Sequence, residues 1–338
     1  DLVLFSKIRS MRAVSLIALI ILFVSCKEEQ SCRTQPDASI DPVEVEVTRA
    51  EKPFFLAESG DDVQRLLEED TLISRGLLRS EQYPELSALA FRFYGLMQDP
   101  YIDTLYKEAV TAYETNESQF LGEMQTAFGW MKHYFPQQKV PEIKTMVTGL
   151  YNDMYFTDSL IVVGIDYFIG DSASYPPLNM PQYILKRYNY QYLAPTLVKF
   201  YTTEKVATGK ENTLLSEMID YGKIYYLVGQ LLPCMEDWRI IGFTEREMEV
   251  VKDNRAIIYA NFNQNELWYD ITQEMKRKFL GERPNVYEIH KECPGRVGAW
   301  MGWEIVQQYV EKTGVSMDEL LAETDHHKIF RGSGYKPQ

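Results

Sequence analysis

Histidine is scarce in this chain of 338 residues: His133, His290, His326 and His327 are the four present, and no two stand four residues apart. Zinc hydrolysis of the zincin type needs His-Glu-x-x-His on one helix, two imidazoles one turn apart with the Glu as base, so that chemistry has no sequence support. The adjacent His326 and His327 point about 100° apart on any helix and cannot share that coordination geometry. A Gly-x-Ser-x-Gly elbow, a phosphate-binding loop and a dinucleotide fingerprint are all missing, and no His has a triad-like context, which leaves no visible nucleophile. Positive charge is short as well. Lys and Arg number 35 against 49 Asp and Glu, a formal net charge of −14. Such a balance argues against nucleic acid as a partner and against anionic headgroups as the main means of membrane attachment. No cofactor and no metal is expected.

The apolar run Ala13–Val24 is too short to span a bilayer. Its residues would make about 18 Å of helix against a hydrocarbon core of about 30 Å. Arg12 precedes it, and small Ser25 and then Cys26 follow, so residues 11–25 read as a lipoprotein signal peptide. After cleavage Cys26 becomes the lipid-bearing N-terminus. At about 0.8 kcal/mol per buried CH₂, two or more acyl chains such as palmitate hold a protein on a membrane. Residues 1–10 read as an extension upstream of Met11. Residues 26–41, polar and without periodicity, read as a tether, and 42–338 as one domain without internal repeat or long linker.

Within that domain Val43-Glu-Val-Glu-Val-Thr48 alternates and predicts a strand with one wet face. From Asp61 to Phe135 apolar residues recur at helical spacing. Val140–Leu150 and Met154–Ile169 are rich in β-branched residues and broken by turns at 151–153 and 157–159, which predicts a small sheet. After the loop Gly170–Pro177 the pattern returns to helix, about Tyr183–Thr208, Leu214–Gln230, Thr244–Asn263, Glu266–Phe279 and Gly295–Lys312. The expected class is α+β, predominantly helical, with helices flanking a small sheet.

The helix near the C-terminus organises the reading. Val297, Trp300, Met301, Ile305 and Tyr309 form one apolar stripe, Pro294 suits the first turn, and Gly314 suits a left-handed end. Ser316-Met-Asp-Glu319 then reads as a capping box for a further short helix. Gly298 and Gly302 sit inside the helix at about 1 kcal/mol each against Ala, so another backbone or a ligand is expected on their face. Arg296 in the first turn opposes the helix dipole by about 0.3–1 kcal/mol and calls for an acidic neighbour, with Glu292 and Asp220 as the candidates. Either Arg296 is a structural pair beside two structural glycines, or it faces a cleft lined by Trp300 or Trp303. Cys234 and Cys293 are the only two thiols between structured elements, so a bridge between them and two buried free thiols are both open.

Pro294-Gly-Arg-Val-Gly298, Trp300-x-Gly-Trp-Glu-Ile-Val306 and Ser316-x-x-Glu-Leu-Leu321 resemble the gliding-motility lipoprotein family GldB. Leu214-Leu-Ser-Glu-Met-Ile219, Tyr221-Gly-Lys223, Leu231-Leu-Pro233 and Ile329-Phe with Tyr335-Lys-Pro337 follow in the family's order, so that the similarity covers residues 42–337 and the lipoprotein signal. Cys293 stands where Ser or another small residue is expected. The resemblance implies a lipid-anchored protein of the cell envelope, facing the periplasm or the surface, that is needed for gliding and the associated protein secretion. It implies a non-catalytic scaffold or binding role, with other gliding or secretion lipoproteins as partners. Lys27-Glu28-Glu29 also resembles surface-export tags of lipoproteins in gliding bacteria.

The order of helices, small sheet and helices is similar to that of zincin-type metallopeptidases, and a related family of zinc peptidases ends in a similar Gly-rich helix. The helix after the sheet here carries Leu197-Val-Lys-Phe-Tyr201, and Asp220, the nearest acidic third ligand, has no His pair to complete. The expectation is therefore a pseudo-peptidase whose old cleft is bordered by Asp220, Tyr221 and the Gly298/Gly302 face. The alternative is a hydrolase whose site is not visible in sequence.

Replacing the lipidation residue, Cys26→Ser, is expected to leave an uncleaved, mislocalised or unstable precursor, because no other acyl-accepting residue follows the apolar run. Gel mobility and metabolic labelling with palmitate test this, and normal processing of the variant would refute it.

Overall fold

Four short strands form a mixed sheet between two hydrophobic cores. β1 (Val47–Arg49), β2 (Glu142–Met146) and β4 (Leu160–Gly164) run parallel, and β3 (Met154–Phe156) is antiparallel to β4 at one edge, giving the order β1-β2-β4-β3. The structure, a computed structural model, describes residues 32–33, 40, 43–178 and 180–337. The expected signal peptide at 11–25, Cys26 and most of the expected tether at 26–41 lie outside the described residues. The chain clusters into two units, Asp1–Thr34 and Gln35–Gln338. Cys32 and Arg33 are the described part of the first, and every element named here belongs to the second.

Successive side chains leave a strand on opposite faces, and β4, buried throughout, uses both. Leu160 and Val162 join Met146 in one core, while Ile161 and Val163 join Ile143 in another. The first core is closed by α1 (Glu51–Phe55), α2 (Gly60–Glu69), a π-helical turn at Leu72–Leu77 and α3 (Leu86–Met97), through Phe54, Val63, Leu67, Leu77, Leu89 and Phe93. The second is closed by the long helix α4 (Pro100–Tyr134) and by the C-terminal half of the chain. Asp99 caps α4 by accepting the Tyr101 N–H at 2.8 Å, and Pro100 occupies the first turn, where its missing N–H leaves no gap. The result is an α+β fold, predominantly helical, with helices on both faces of a small sheet.

The C-terminal half contains α5 (Gln182–Leu185), α6 (Leu193–Thr202), α7 (Leu214–Leu231), α8 (Asp237–Ile241), α9 (Glu245–Asp253) and α10 (Arg255–Gln264). α11 (Gln273–Phe279), α12 (Val297–Thr313), α13 (Met317–Ala322) and α14 (His326–Ser333) complete it. Two of the expected helices are interrupted. The stretch 183–208 breaks because Asn189, extended at φ −142°, accepts the Gln191 N–H and starts a tight turn at Tyr190–Tyr192. α6 then begins just ahead of Pro195, which a helix interior would not tolerate. The stretch 244–263 breaks at Asn254, whose side chain turns back to the Val250 carbonyl at 2.8 Å. The expected 266–279 helix is likewise a tight turn at Leu267–Tyr269 followed by α11, and the expected strand to Ile169 stops at Gly164, after which Ile165–Tyr167 turn.

α7 and α12 pack against each other at a pair of glycines. A Cβ on Gly302 would overlap the Met218 carbonyl, and one on Gly222 would overlap the Gly302 carbonyl. Gly298 meets a second backbone: its Cβ would lie 3.0 Å from the Phe279 carbonyl oxygen. The two glycines should therefore differ in tolerance. Gly302→Ala is expected to lower stability by about 1–3 kcal/mol or more through overpacking. In Gly298→Ala a small displacement of the 279–280 segment and the gain in helix propensity nearly cancel. Urea unfolding of both variants checks the order, and equal losses would refute it.

Candidate functional site

Pro294 and Gly295 deliver the chain to α12, and Arg296 takes the left-handed conformation there, φ 60° and ψ 19°. For a residue with a Cβ that backbone costs roughly 1–2 kcal/mol, and the side chain supplies what offsets it. Its Nη1 donates to the Ile241 carbonyl at 2.5 Å and its Nη2 to the Gly242 carbonyl at 2.9 Å. Those carbonyls are free because Gly242, φ 73°, ends α8, so the cation lies at the negative end of that helix. The Nε sits 3.2 Å from Glu282 Oε1, the Tyr225 hydroxyl accepts from Nη1 at 3.4 Å, and the guanidinium covers the Phe243 ring at 5.2 Å.

The acid that faces Arg296 is thus Glu282, and neither residue expected from the sequence fills that role. Glu292 is exposed and pairs with Arg246 at 3.0 Å. Asp220 pairs with His326, Nε2 to Oδ1 at 2.9 Å. Nor do the two tryptophans line an open cleft beside Arg296: Trp300 and Trp303 are 1% and 3% exposed, one under the Arg255 guanidinium and the other against Tyr225. The Gly298/Gly302 face is occupied by the backbone of Phe279 and Met218. Tyr221 alone of the expected border is open, at 40% exposure.

The possible Cys234–Cys293 bridge is not formed. Cys234 is disulfide-bonded, whereas Cys293 is a free, buried thiol. The chain after α7 turns Cys234 toward Gly122 and Glu123 of α4, while Cys293 is held in the core by the Val286 N–H on its carbonyl at 2.7 Å. Burial, and then the charge of Glu247, push the Cys293 thiol up to about 12.

Three residues that the sequence reading assigned to no site, Arg187, Lys199 and Glu282, bear on the electrostatics around Arg296. Arg187 grips Glu282 with both terminal nitrogens, Nη1 to Oε1 at 2.9 Å and Nη2 to Oε2 at 2.8 Å. Lys199, from α6, is half-buried and lies 4.7 Å over the Phe200 ring, with no carboxylate or carbonyl partner for its ammonium among the described residues. Burial, reinforced by the charges of Arg296 and Arg187 and opposed by Glu282, brings Lys199 down to about 7. Burial and Arg296 likewise lower Arg187. Burial alone would raise Glu282, but the charges of Arg296, Arg187 and Lys199 outweigh it and hold the carboxyl below its usual range. A Lys inside the apolar run Leu197-Val-Lys-Phe-Tyr201 was the one sequence signal for this group. Glu282, in a loop, gave none.

Asp220 belongs to a different device. Lys223, fully buried, donates to the carbonyls of Ala207 and Glu323 at 2.9 and 2.8 Å and stands 3.5 Å from Asp220, so α7 holds the segment leading to α14. His326, also buried, closes that clamp. Among the described residues no group of three or more His, Cys, Asp or Glu could hold a metal ion.

Comparison with known proteins gives one finding. A family model described as gliding motility protein GldB matches residues 31–337. No curated protein and no solved structure matches.

Two variants separate structure from strain. Arg296→Ala strands two carbonyls, and is expected to lower stability by about 3 kcal/mol, the low end for a broken buried pair because Arg187 still holds Glu282, which also reaches solvent. Lys199→Met is expected to raise stability. The folded pKa of Lys199 lies below its ordinary 10.5, so the penalty of keeping it charged is full below about pH 7 and fades as pH rises toward the unfolded value. Thermal midpoints should therefore differ most in mild acid and converge in alkali. An equal difference at all pH values would contradict this.

Proposed function

The chain belongs to the GldB family of gliding-motility proteins, and on that premise we propose that it acts as a lipid-anchored, non-catalytic scaffold or binding component of the gliding apparatus and its associated secretion machinery. The lipid is carried by Cys26, at the end of the signal peptide. No helix among the described residues is long and apolar enough to cross a membrane, which is compatible with such an anchor.

One observation carries the non-catalytic reading. On the helix after the sheet, where a zinc hydrolase presents two imidazoles to a dication, α6 presents Lys199, with the like charges of Arg187 and Arg296 acting on it. Cations in that position repel a metal ion instead of holding it. Asp220, the acid that would complete a zinc site, is engaged by His326 and Lys223.

Complementation of a deletion strain tests the role. Wild-type protein is expected to restore colony spreading and secretion, and Cys26→Ser to restore neither. Crosslinking in intact cells should then capture envelope or motility lipoproteins. Full spreading with Cys26→Ser would sink the anchored reading. Purified protein that carries near-equimolar zinc, lost with EDTA together with peptide hydrolysis, would establish the hydrolase instead.

A further inference from the structure

We propose that the cavity between α12 and the C-terminal residues 335–337 binds a small zwitterion, a short peptide or a free amino acid with one ammonium and one carboxylate. Three separate stretches enclose about 350 Å³ there: one face of α12, Arg255 at the start of α10, and the residues that follow α14. That volume lies at the small end of the range for ligand pockets. On α12 the lining residues are Glu304, Gln307, Gln308 and Glu311, the spacing that aligns side chains along one helix face over two turns. The 335–337 wall is fixed to the rest of the site. Lys312 of α12 donates to the Ser333 carbonyl at 2.6 Å, and Tyr335 packs edge-on against Tyr259 of α10 at 5.8 Å. The motifs at 300–306 and 335–337, apart in the sequence, thus meet at one cavity.

The charges decide the ligand. Glu304 is already paired with Arg255, Nε to Oε2 at 2.7 Å. Glu311 and Lys336 line the same cavity, yet neither pairs with the other or with any other group among the described residues. A ligand with one charge of each sign answers both, whereas a purely anionic or cationic one leaves a like charge facing it. Gln307 and Gln308 likewise make no side-chain hydrogen bond within the described residues. Each amide presents a donor and an acceptor, the complement of a peptide group. The Tyr335 hydroxyl is buried without a hydrogen-bond partner. Burial, then the charge of Glu304, raises its pKa, so it stays protonated, and Arg255, which opposes that shift, has no acceptor to offer. Its proton is left for an oxygen of the ligand. Little of the wall is apolar, which favours small side chains on the ligand.

The test is isothermal titration of the full chain in neutral detergent with the dipeptide Ala-Ala at about pH 6.5, where both of its termini are charged. Wild-type protein is expected to bind it. N-acetyl-Ala-Ala, which lacks the ammonium, and Ala-Ala-amide, which lacks the carboxylate, should each bind about tenfold or more weakly, the loss of one charge-assisted hydrogen bond. Glu311→Gln should bind Ala-Ala and N-acetyl-Ala-Ala alike while still discriminating against the amide. Lys336→Met should do the reverse. Both side chains are exposed and unpaired, so both variants should fold, which circular dichroism checks. A purely structural role for either residue would not remove one preference and keep the other. Ala-Ala that fails to bind wild-type protein, or preferences that neither variant changes, would overturn the site. Free alanine separates the two sources: weaker binding than Ala-Ala assigns a peptide, and equal binding an amino acid. The site stands or falls separately from the motility role.

Discussion

The crossing of α7 and α12 at Gly222 and Gly302 sets the distances on which the C-terminal half depends. Without side chains at those two positions, the backbone of one helix rests on the carbonyl of the other. Such an approach is closer than interdigitating side chains would permit. Trp300, Trp303 and Tyr225 then pack around the crossing instead of within it. The start of α12 is fixed by the same contact, because Gly298 lies on Phe279 and Arg296 reaches the end of α8. One pair of glycines thereby ties four helices, α7, α8, α11 and α12, to a common origin.

Two lysines show how differently the fold treats buried charge. Burial lowers the pKa of both Lys199 and Lys223. Lys223 is answered by two backbone carbonyls and by Asp220, and in return it clamps the C-terminal segment to α7. Lys199 is half-exposed, with its ammonium 4.7 Å over the Phe200 ring. A satisfied ammonium works as a structural tie. One that reaches the surface is left to solvent, which is why the two positions carry different readings.

Membership in the GldB family ties the chain to gliding motility, and the proposed division of tasks places attachment at the N-terminus and binding in the α+β domain. The acidic balance of the chain suits that proposal, since an acidic surface gains little from anionic headgroups.

The sequence by itself determined whatever depends on residues three or four apart. Gly314 in the left-handed conformation and the Ser316–Glu319 capping box close α12 and open α13 as their spacing requires, and the stretches rich in β-branched residues supply β2 and β4 of the sheet. The breaks at Asn189 and Asn254 were local too, carried by Asn and by Pro195, but the apolar periodicity across them overrode the signal. Arg296's need for an acid was legible from the helix dipole. That the acid is Glu282, that Cys293 stays a thiol, and that Lys199 joins two arginines were decided only by tertiary structure. Each depends on which loop the glycine crossing brings within a few ångströms, and no periodicity along the chain encodes that distance.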